Sequence, residues 1–246
     1  YIDGGNLRQL LDRGILDESS TVRMLEQMLK TLGFLNEHGI VHGNVKPESI
    51  FLRKDGSVVL GDFGCARQLG TQISRVKREY ASTERLLGHP FGHSADIWSV
   101  GVIVYEMCTG QYPFQTEQDL VQGRYTHLNP SVNETIQNMI GMMLQPDENK
   151  RSTAKDLLFT LNRIRVDQQK LEKAITKGVR LTSEELFGRG LKYGVNKASK
   201  TLIIKGTGEM NNYDPEGNTT KWSKFRKDVQ SLFVCEGLTR IGVGAF

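Results

Sequence analysis

The segment ADIWSVGVIVYEMCTG, Ala95 to Gly110, is apolar nearly all the way round a helical circumference. A surface helix carries one apolar stripe and a polar face, so a helix apolar on every side has to be buried. The chain is therefore expected to place this segment at its centre, with Gly110 as the stop, since glycine takes the left-handed conformation without steric cost. The 246 residues suffice for one large domain or two small ones. Apolar content of 38% and charged content of 24% are ordinary for a soluble globular protein.

Other elements are legible around the central helix. Tyr1 to Gly5 reads as a short extended piece, followed by a brief helix from Asn6 to about Leu11. Between Thr21 and His38, Val22, Leu25, Leu29 and Leu32, with Met28 and Leu35 alongside, recur at helical spacing and predict an amphipathic helix that Gly39 ends. Ser49–Leu52 and Ser57–Leu60 are strand candidates joined through Asp55-Gly56, whose positive backbone φ suits a β-hairpin. Residues 61–84 are polar, irregular and rich in Lys and Arg, which predicts a long surface loop. Helices are expected over Ser131–Leu144 and Thr153–Arg165. Residues 166–200 are Lys/Glu-rich, then glycine-punctuated, and read as a linker with a helical extension. From Thr201 the pattern changes to short strands, TLIIKG and SLFVCEG. Three regions follow: 1–165, 166–200 and 201–246.

A net charge of +4 is mild, and a basic balance spread over such a chain is a solvated surface rather than a nucleic-acid footprint. Cys65, Cys108 and Cys235 are odd in number and far apart, with neither disulfide nor metal-ligand spacing, which favours a reducing compartment and a cytoplasmic location. No run of about 18 apolar residues appears, so no segment is expected to span a membrane. The chain opens at YIDGGNLRQLL without an initiator methionine and stops at TRIGVGAF, so it is expected to be a fragment cut at both ends.

Chemistry concentrates in one spaced set of marks. His42-Gly43-Asn44 precedes the predicted hairpin, and Asp62-Phe63-Gly64 ends it. EYASTE closes the polar loop, Asp96 sits on the apolar helix, and PDENKRSTAKDLL follows. A lone DFG is weak, but five marks in this order over more than a hundred residues are specific. The set resembles the C-terminal lobe of eukaryotic protein kinases, whose signatures are HRD, DFG and APE, and the resemblance covers about Tyr1 to Arg165. It implies an α+β fold, mainly helical.

Phosphoryl transfer asks a protein for positioning and charge neutralisation, and the departures from the family pattern fall on both. The family's aspartate that accepts the substrate hydroxyl proton is Asn44 here. A carboxamide can orient a hydroxyl but cannot take its proton, and general-base help is worth roughly 10²–10⁴ in rate. The metal-binding asparagine five residues on is Ser49, a shorter and poorer ligand for Mg²⁺. The arginine of HRD is Gly43, and Lys77 stands where the peptide-docking loop has a threonine. What the resemblance retains is Asp62 as the Mg²⁺ carboxylate, Lys46 near the transferred phosphate, and Phe51 beneath an adenine ring. His42 and Phe63 match the hydrophobic spine, Asp96 the anchor of the catalytic-loop backbone, and Glu84 with Arg151 the buried ion pair. Purely structural roles stand beside these: His42 and Phe63 as core residues, Asp62 as an inherited residue no longer used. The run RVKRE is more simply a solvated loop than a docking patch. Thr71 and Ser74, without the clamping arginine, lack the usual consequence of phosphorylation.

The glycine-rich loop and strand lysine of the family lie upstream of Tyr1, so this stretch offers half a nucleotide site. ATP and Mg²⁺ stay open for the full-length protein, and none is expected for the stretch alone. The C-terminal residues resemble the opening of a BspA-like leucine-rich repeat domain: GTGEM after a strand, a turn with Trp222, then GLTRIG and AF. Leu232, Val234, Leu238, Ile241, Ala245 and Phe246 would point into a solenoid core, and further repeats beyond Phe246 are expected because repeat units need neighbours. A small β-rich extension on the lobe is the plainer alternative. Three functions remain open: a pseudokinase scaffold or regulator, an active ATP-dependent protein kinase, and a protein-binding repeat module carrying a passive kinase lobe. Protein partners are expected through the repeats, with no nucleic acid.

Overall fold

The computed structural model describes residues 2–68, 78–130, 132–177, 179, 191–206, 208–209, 231–234 and 238–240. In chain order the elements begin with α1 (Leu7–Leu11), α2 (Glu18–Glu37), β1 (Ile40–Val41), β2 (Ile50–Leu52), β3 (Val58–Leu60) and β4 (Arg67–Gln68). Next come α3 (Thr83–Leu86), α4 (His93–Thr109), α5 (Glu117–Val121), α6 (Glu134–Met143) and α7 (Ala154–Thr176). Strands β5 (Leu191–Asn196), β6 (Thr201–Gly206), β7 (Gly208–Glu209), β8 (Ser231–Val234) and β9 (Leu238–Arg240) follow. The chain divides into two compact units, Tyr1–Asn162 and Arg163–Phe246.

In the first unit α4 is the centre, buried at every residue from Ala95 to Tyr105 and again at Met107, as its lack of a polar face requires. Gly110 ends it at φ 68°. α2 lays Thr21, Met24, Leu25, Met28, Leu29, Leu32 and Leu35 into the core. It starts three residues before the first predicted position, because Asp17 caps it: the carboxylate accepts from the Ser20 amide at 2.9 Å and from the hydroxyls of Ser19 and Ser20 at 2.7 Å. These bonds, Ser19's first, pull the Asp17 carboxyl down to about 2. α6 approaches α4 closely at Gly101, where a Cβ would come within 2.8 Å of the Met143 Cβ. The predicted hairpin forms, β2 and β3 pairing antiparallel from Ile50↔Leu60 to Leu52↔Val58 with Gly56 at φ 76°.

Several expectations need correction. The helix expected over Ser131–Leu144 is shorter, starting at Glu134 behind an Asn133 cap. α7 continues eleven residues past Arg165, and β5 lies inside the stretch read as linker. The loop predicted for residues 61–84 is not all surface: Tyr80, Ala81, Ser82, Thr83 and Glu84 are buried. Polarity misled there, since the buried polar atoms of Thr83 and Glu84 find partners inside the fold. β4 pairs antiparallel with β1, and α5 forms behind a Thr116–Asp119 capping box, both unpredicted.

In the second unit β5 and β6 form an antiparallel hairpin, and β8 adds parallel to β6. Tyr193, Leu202, Ile203 and Ile204 are buried. Leu232, expected in a core, is 38% exposed. Among the described residues β8 has a strand on one side only, so Leu232 is covered less completely than Leu202, its partner in register. Trp222, Ile241, Ala245 and Phe246 lie outside the described residues.

Candidate functional site

The segment His42–Ser49 connects β1 to β2, and its shape is set from below by Asp96 in the first turn of α4. The two carboxylate oxygens accept from the backbone amides of His42 and Gly43, each at 2.8 Å. Gly43 sits at φ 70°, a conformation glycine takes freely. Burial pushes the Asp96 carboxyl up, and the Gly43 and His42 amides oppose it. His42 is fully buried and bonded on both ring nitrogens: Nε2 pairs with the Gly61 carbonyl at 2.9 Å, and Nδ1 accepts from the Asn44 amide at 3.3 Å. Its ring meets the edge of Phe63 at 4.8 Å. The loop before the hairpin and the DFG segment after it are thereby tied together.

Asp62 has a left-handed backbone, φ 60° and ψ 55°, which turns its side chain back over the loop. One oxygen, Oδ2, accepts from Asn44 Nδ2 at 3.2 Å and pairs with Lys46 Nζ at 3.5 Å. Asn44, Lys46 and Asp62 therefore form one cluster, open to solvent at Asp62. Phe51 lies alongside, its ring so close to Gly61 that a Cβ there would approach within 2.8 Å. Ser49 does not join the cluster. Its buried hydroxyl donates to the carbonyls of Lys46 (2.8 Å) and Asn44 (3.3 Å) and accepts from the Lys46 amide (3.1 Å). To meet a metal it would have to abandon the bonds that shape the loop. Lys77, Thr71 and Ser74 lie outside the described residues.

Beneath the site, Glu84 and Arg151 pair in two bonds, 2.9 and 3.0 Å. Arg151 also donates to the carbonyls of Gln145 (3.0 Å) and Ser94 (2.8 Å). Burial alone would push the Glu84 carboxyl up, but the hydrogen bond and charge of Arg151 more than reverse this and leave it lowered. Two connections were not anticipated from the sequence. Arg85 Nη1 donates to the Gly43 carbonyl at 2.7 Å, and Arg8, Tyr80 and Glu106 form a closed trio with every link at 2.8 Å. No local pattern announces a trio drawn from positions 72 and 98 residues apart in the chain from Arg8. An arginine directly after the EYASTE glutamate was the one available hint of the other.

Chemically, the cluster presents a carboxylate, an ammonium and a carboxamide to one side of the loop. Asp62 suits a hard divalent cation, which Mg²⁺ sites commonly hold through one or two carboxylates plus phosphate oxygens. Among the described residues no group of three His, Cys, Asp or Glu side chains is assembled for a metal.

Comparisons with known proteins agree with this geometry. The family model described as "Protein kinase domain" matches residues 1–160. The chain is 32% identical over 171 residues to serine/threonine-protein kinase PAK mbt of Drosophila melanogaster, a match covering 64% of this chain and 27% of that protein. It is 31% identical over 169 residues to serine/threonine-protein kinase 36 of Pongo abelii, covering 65% and 13%. It is 30% identical over 173 residues to serine/threonine-protein kinase Nek5 of Mus musculus, covering 64% and 28%. The chain thus spans less than a third of the length of these relatives. With its catalytic-loop anchor, DFG backbone and buried ion pair in place over the matched residues, the chain belongs to the protein kinase family.

Proposed function

We propose that this chain is the helical lobe of a kinase domain whose phosphoryl transfer is severely impaired, and that it works as a pseudokinase scaffold or regulator. The observation that carries the reading is the bond from Asn44 Nδ2 to Asp62 Oδ2. At the place where the family puts its proton acceptor, this chain has a donor, and that donor is engaged with the carboxylate needed for metal. A carboxamide takes no proton at neutral pH, so a rate loss of roughly 10²–10⁴ follows from this position alone. Kinases as a family use ATP with Mg²⁺; when bound, the metal neutralises the phosphate charge. In this chain Asp62 would hold the metal and Lys46 would pair with phosphate, with Phe51 on the adenine side. Ser49, expected as a second metal ligand, is withdrawn from that role by its bonds to the loop backbone.

The test is phosphotransfer from labelled ATP by the full-length protein, with Asn44→Asp and Asp62→Asn variants alongside. The proposal expects transfer at background in the wild type, unrestored by Asn44→Asp. Robust wild-type transfer that requires Asp62 would make the chain an active serine/threonine-type kinase and end the scaffold reading.

For residues 201–246 the start of a leucine-rich repeat array is supported by one regularity. Thr201 pairs in parallel with Ser231, and Gly208 with Leu238, the same offset of 30 residues (231 − 201 and 238 − 208), before the register shifts by one residue at Glu209, which pairs with Arg240. Parallel strands stacked at a fixed offset are how a solenoid is built, although leucine-rich repeats usually run to about 20–29 residues. On this reading residues 166–200 connect the lobe at 1–165 to a protein-binding array. Deletion of residues 1–165 should then leave capture of a repeat-bound protein intact, and loss of capture would place binding on the lobe.

A further inference from the structure

Beside the first turn of α4 lies a cavity of about 190 Å³ that shares no residue with the Asn44–Asp62 cluster. The C-terminal half of α2, the start of α4 and residues 148–154 enclose it. Leu32, Ile97 and Ala154, each buried, give it an apolar lining. An engineered cavity of about 150 Å³ lined by apolar side chains holds benzene. The space here therefore fits one ring with a small substituent.

The charges around the cavity decide what the substituent must be. Asp96 and Arg151 line it, and both are already engaged. Each Asp96 oxygen accepts from a backbone amide, while Arg151 pairs with Glu84 and donates to the Gln145 and Ser94 carbonyls. Burial lowers the His93 imidazole from its ordinary value, and the Asp96 charge and a bond to the Ile40 carbonyl oppose this only in part. Near neutral pH that ring therefore brings no positive charge. The positive ends of the α4 and α7 dipoles face carboxylates of their own first turns, Asp96 and Asp156. What is left over is the half-buried Glu148, which accepts from the Ser94 hydroxyl at 3.3 Å and has no ion pair among the described residues. Asn36 and Ser152 also line the cavity, and their side chains make no hydrogen bond among the described residues. Three oxygen-bearing side chains with one charge are a poor cage for Mg²⁺ or Ca²⁺, which take about six or more oxygens. A flat organic cation uses both surfaces, its N–H groups forking onto the carboxylate and its body covering the apolar lining.

We propose that this cavity binds a small organic cation of the amidinium or guanidinium class, with Glu148 as its counter-charge. The proposal does not rest on loss of phosphotransfer. The bound cation packs against the turn of α4 from which Asp96 holds the amides of His42 and Gly43, so its occupancy stabilises the first unit at that end.

The test titrates benzamidine, the probe, into the full-length protein carrying isotope-labelled methyl groups. The methyl resonances of Ile97 and Ala154 are expected to shift to saturation. Benzamide, of the same shape but neutral, should bind at least about tenfold more weakly, because charge-assisted hydrogen bonds are about twice as strong as neutral ones. Glu148→Gln keeps the shape of the side chain and removes its charge, and should weaken benzamidine by a similar factor. Should that variant fail to fold, the ratio of benzamidine to benzamide affinity on the unaltered protein decides. Competition separates the sources of the cation. Displacement of benzamidine by a short peptide with one arginine assigns an arginine side chain of a protein, and lack of displacement assigns a free cation. Absence of saturable shifts at Ile97 and Ala154 overturns the proposal, as does benzamide binding as tightly as benzamidine or undiminished benzamidine affinity in Glu148→Gln.

Discussion

Replacing Arg151 by methionine should bring the first unit close to unfolding at neutral pH. The arginine side chain is fully buried and that of Glu84 is 7% exposed, so the variant strands a carboxylate with almost no access to water. Breaking a buried pair from one side costs about 3–5 kcal/mol. The Gln145 and Ser94 carbonyls lose their donor as well, adding about 1 kcal/mol or more. Against a total stability of about 5–15 kcal/mol, that is a large share. With a urea slope of about 2 kcal/mol per molar, the midpoint should fall by about 2 M, read by far-ultraviolet circular dichroism. The double variant Glu84→Leu/Arg151→Met should recover much of the loss, because an apolar pair leaves no charge unpaired. The wild-type pair also carries a pH signature. Glu84 is lowered from its ordinary 4.5, so its contribution is full above that value and fades as pH falls through the folded-state value below it. A shift of less than about 0.5 M in Arg151→Met at pH 7 would refute the reasoning, since it would mean that water reaches Glu84.

Three further outcomes are expected. Gly101→Ala gains about 0.5–1 kcal/mol of helix propensity but drives a methyl within 2.8 Å of the Met143 Cβ and 2.9 Å of Leu144 Cδ2, an overpacking cost of about 1–3 kcal/mol, so calorimetry should show a lower melting temperature. Asp17→Ala removes the α2 cap and should destabilise by about 1 kcal/mol at pH 7, with the difference from wild type shrinking as pH falls from about 4 towards 2, where the wild-type carboxyl protonates. Asn44→Asp sets a second carboxylate against Asp62 where a 3.2 Å hydrogen bond stood. Two like charges at that distance repel, so the variant should be less stable than the wild type at neutral pH, and Mg²⁺ should stabilise it more than it stabilises the wild type, as thermal shift would show.

The elements that were legible in the sequence are those whose burial is written locally. α4 announces itself by having no polar face, α2 by a stripe that returns every three or four residues, and the β2–β3 hairpin by Asp55-Gly56 between two apolar runs. Spacing also carried the site as far as the backbone: His42, Asp62 and Asp96 stand where the motif order puts them. Polarity failed as a guide at Tyr80–Glu84, which looks like solvent-facing loop but is buried, with Thr83 bonded to the Pro146 carbonyl and Glu84 to Arg151. The β1–β4 pair failed for a related reason, since two-residue strands have no periodicity to detect.

The amino-acid order by itself determined the kinase lobe, the loss of the carboxylate at Asn44 and the retention of Asp62. Residue types fix which groups can accept a proton or hold a cation, whatever their surroundings. Only the tertiary structure decided how those groups are committed: Asn44 donates to Asp62, Ser49 turns into its own loop, and Arg85 reaches Gly43 from a helix 42 residues further along the chain. Hydrogen bonds and buried charges depend on distance and on exclusion of water, and neither quantity exists until the chain has folded.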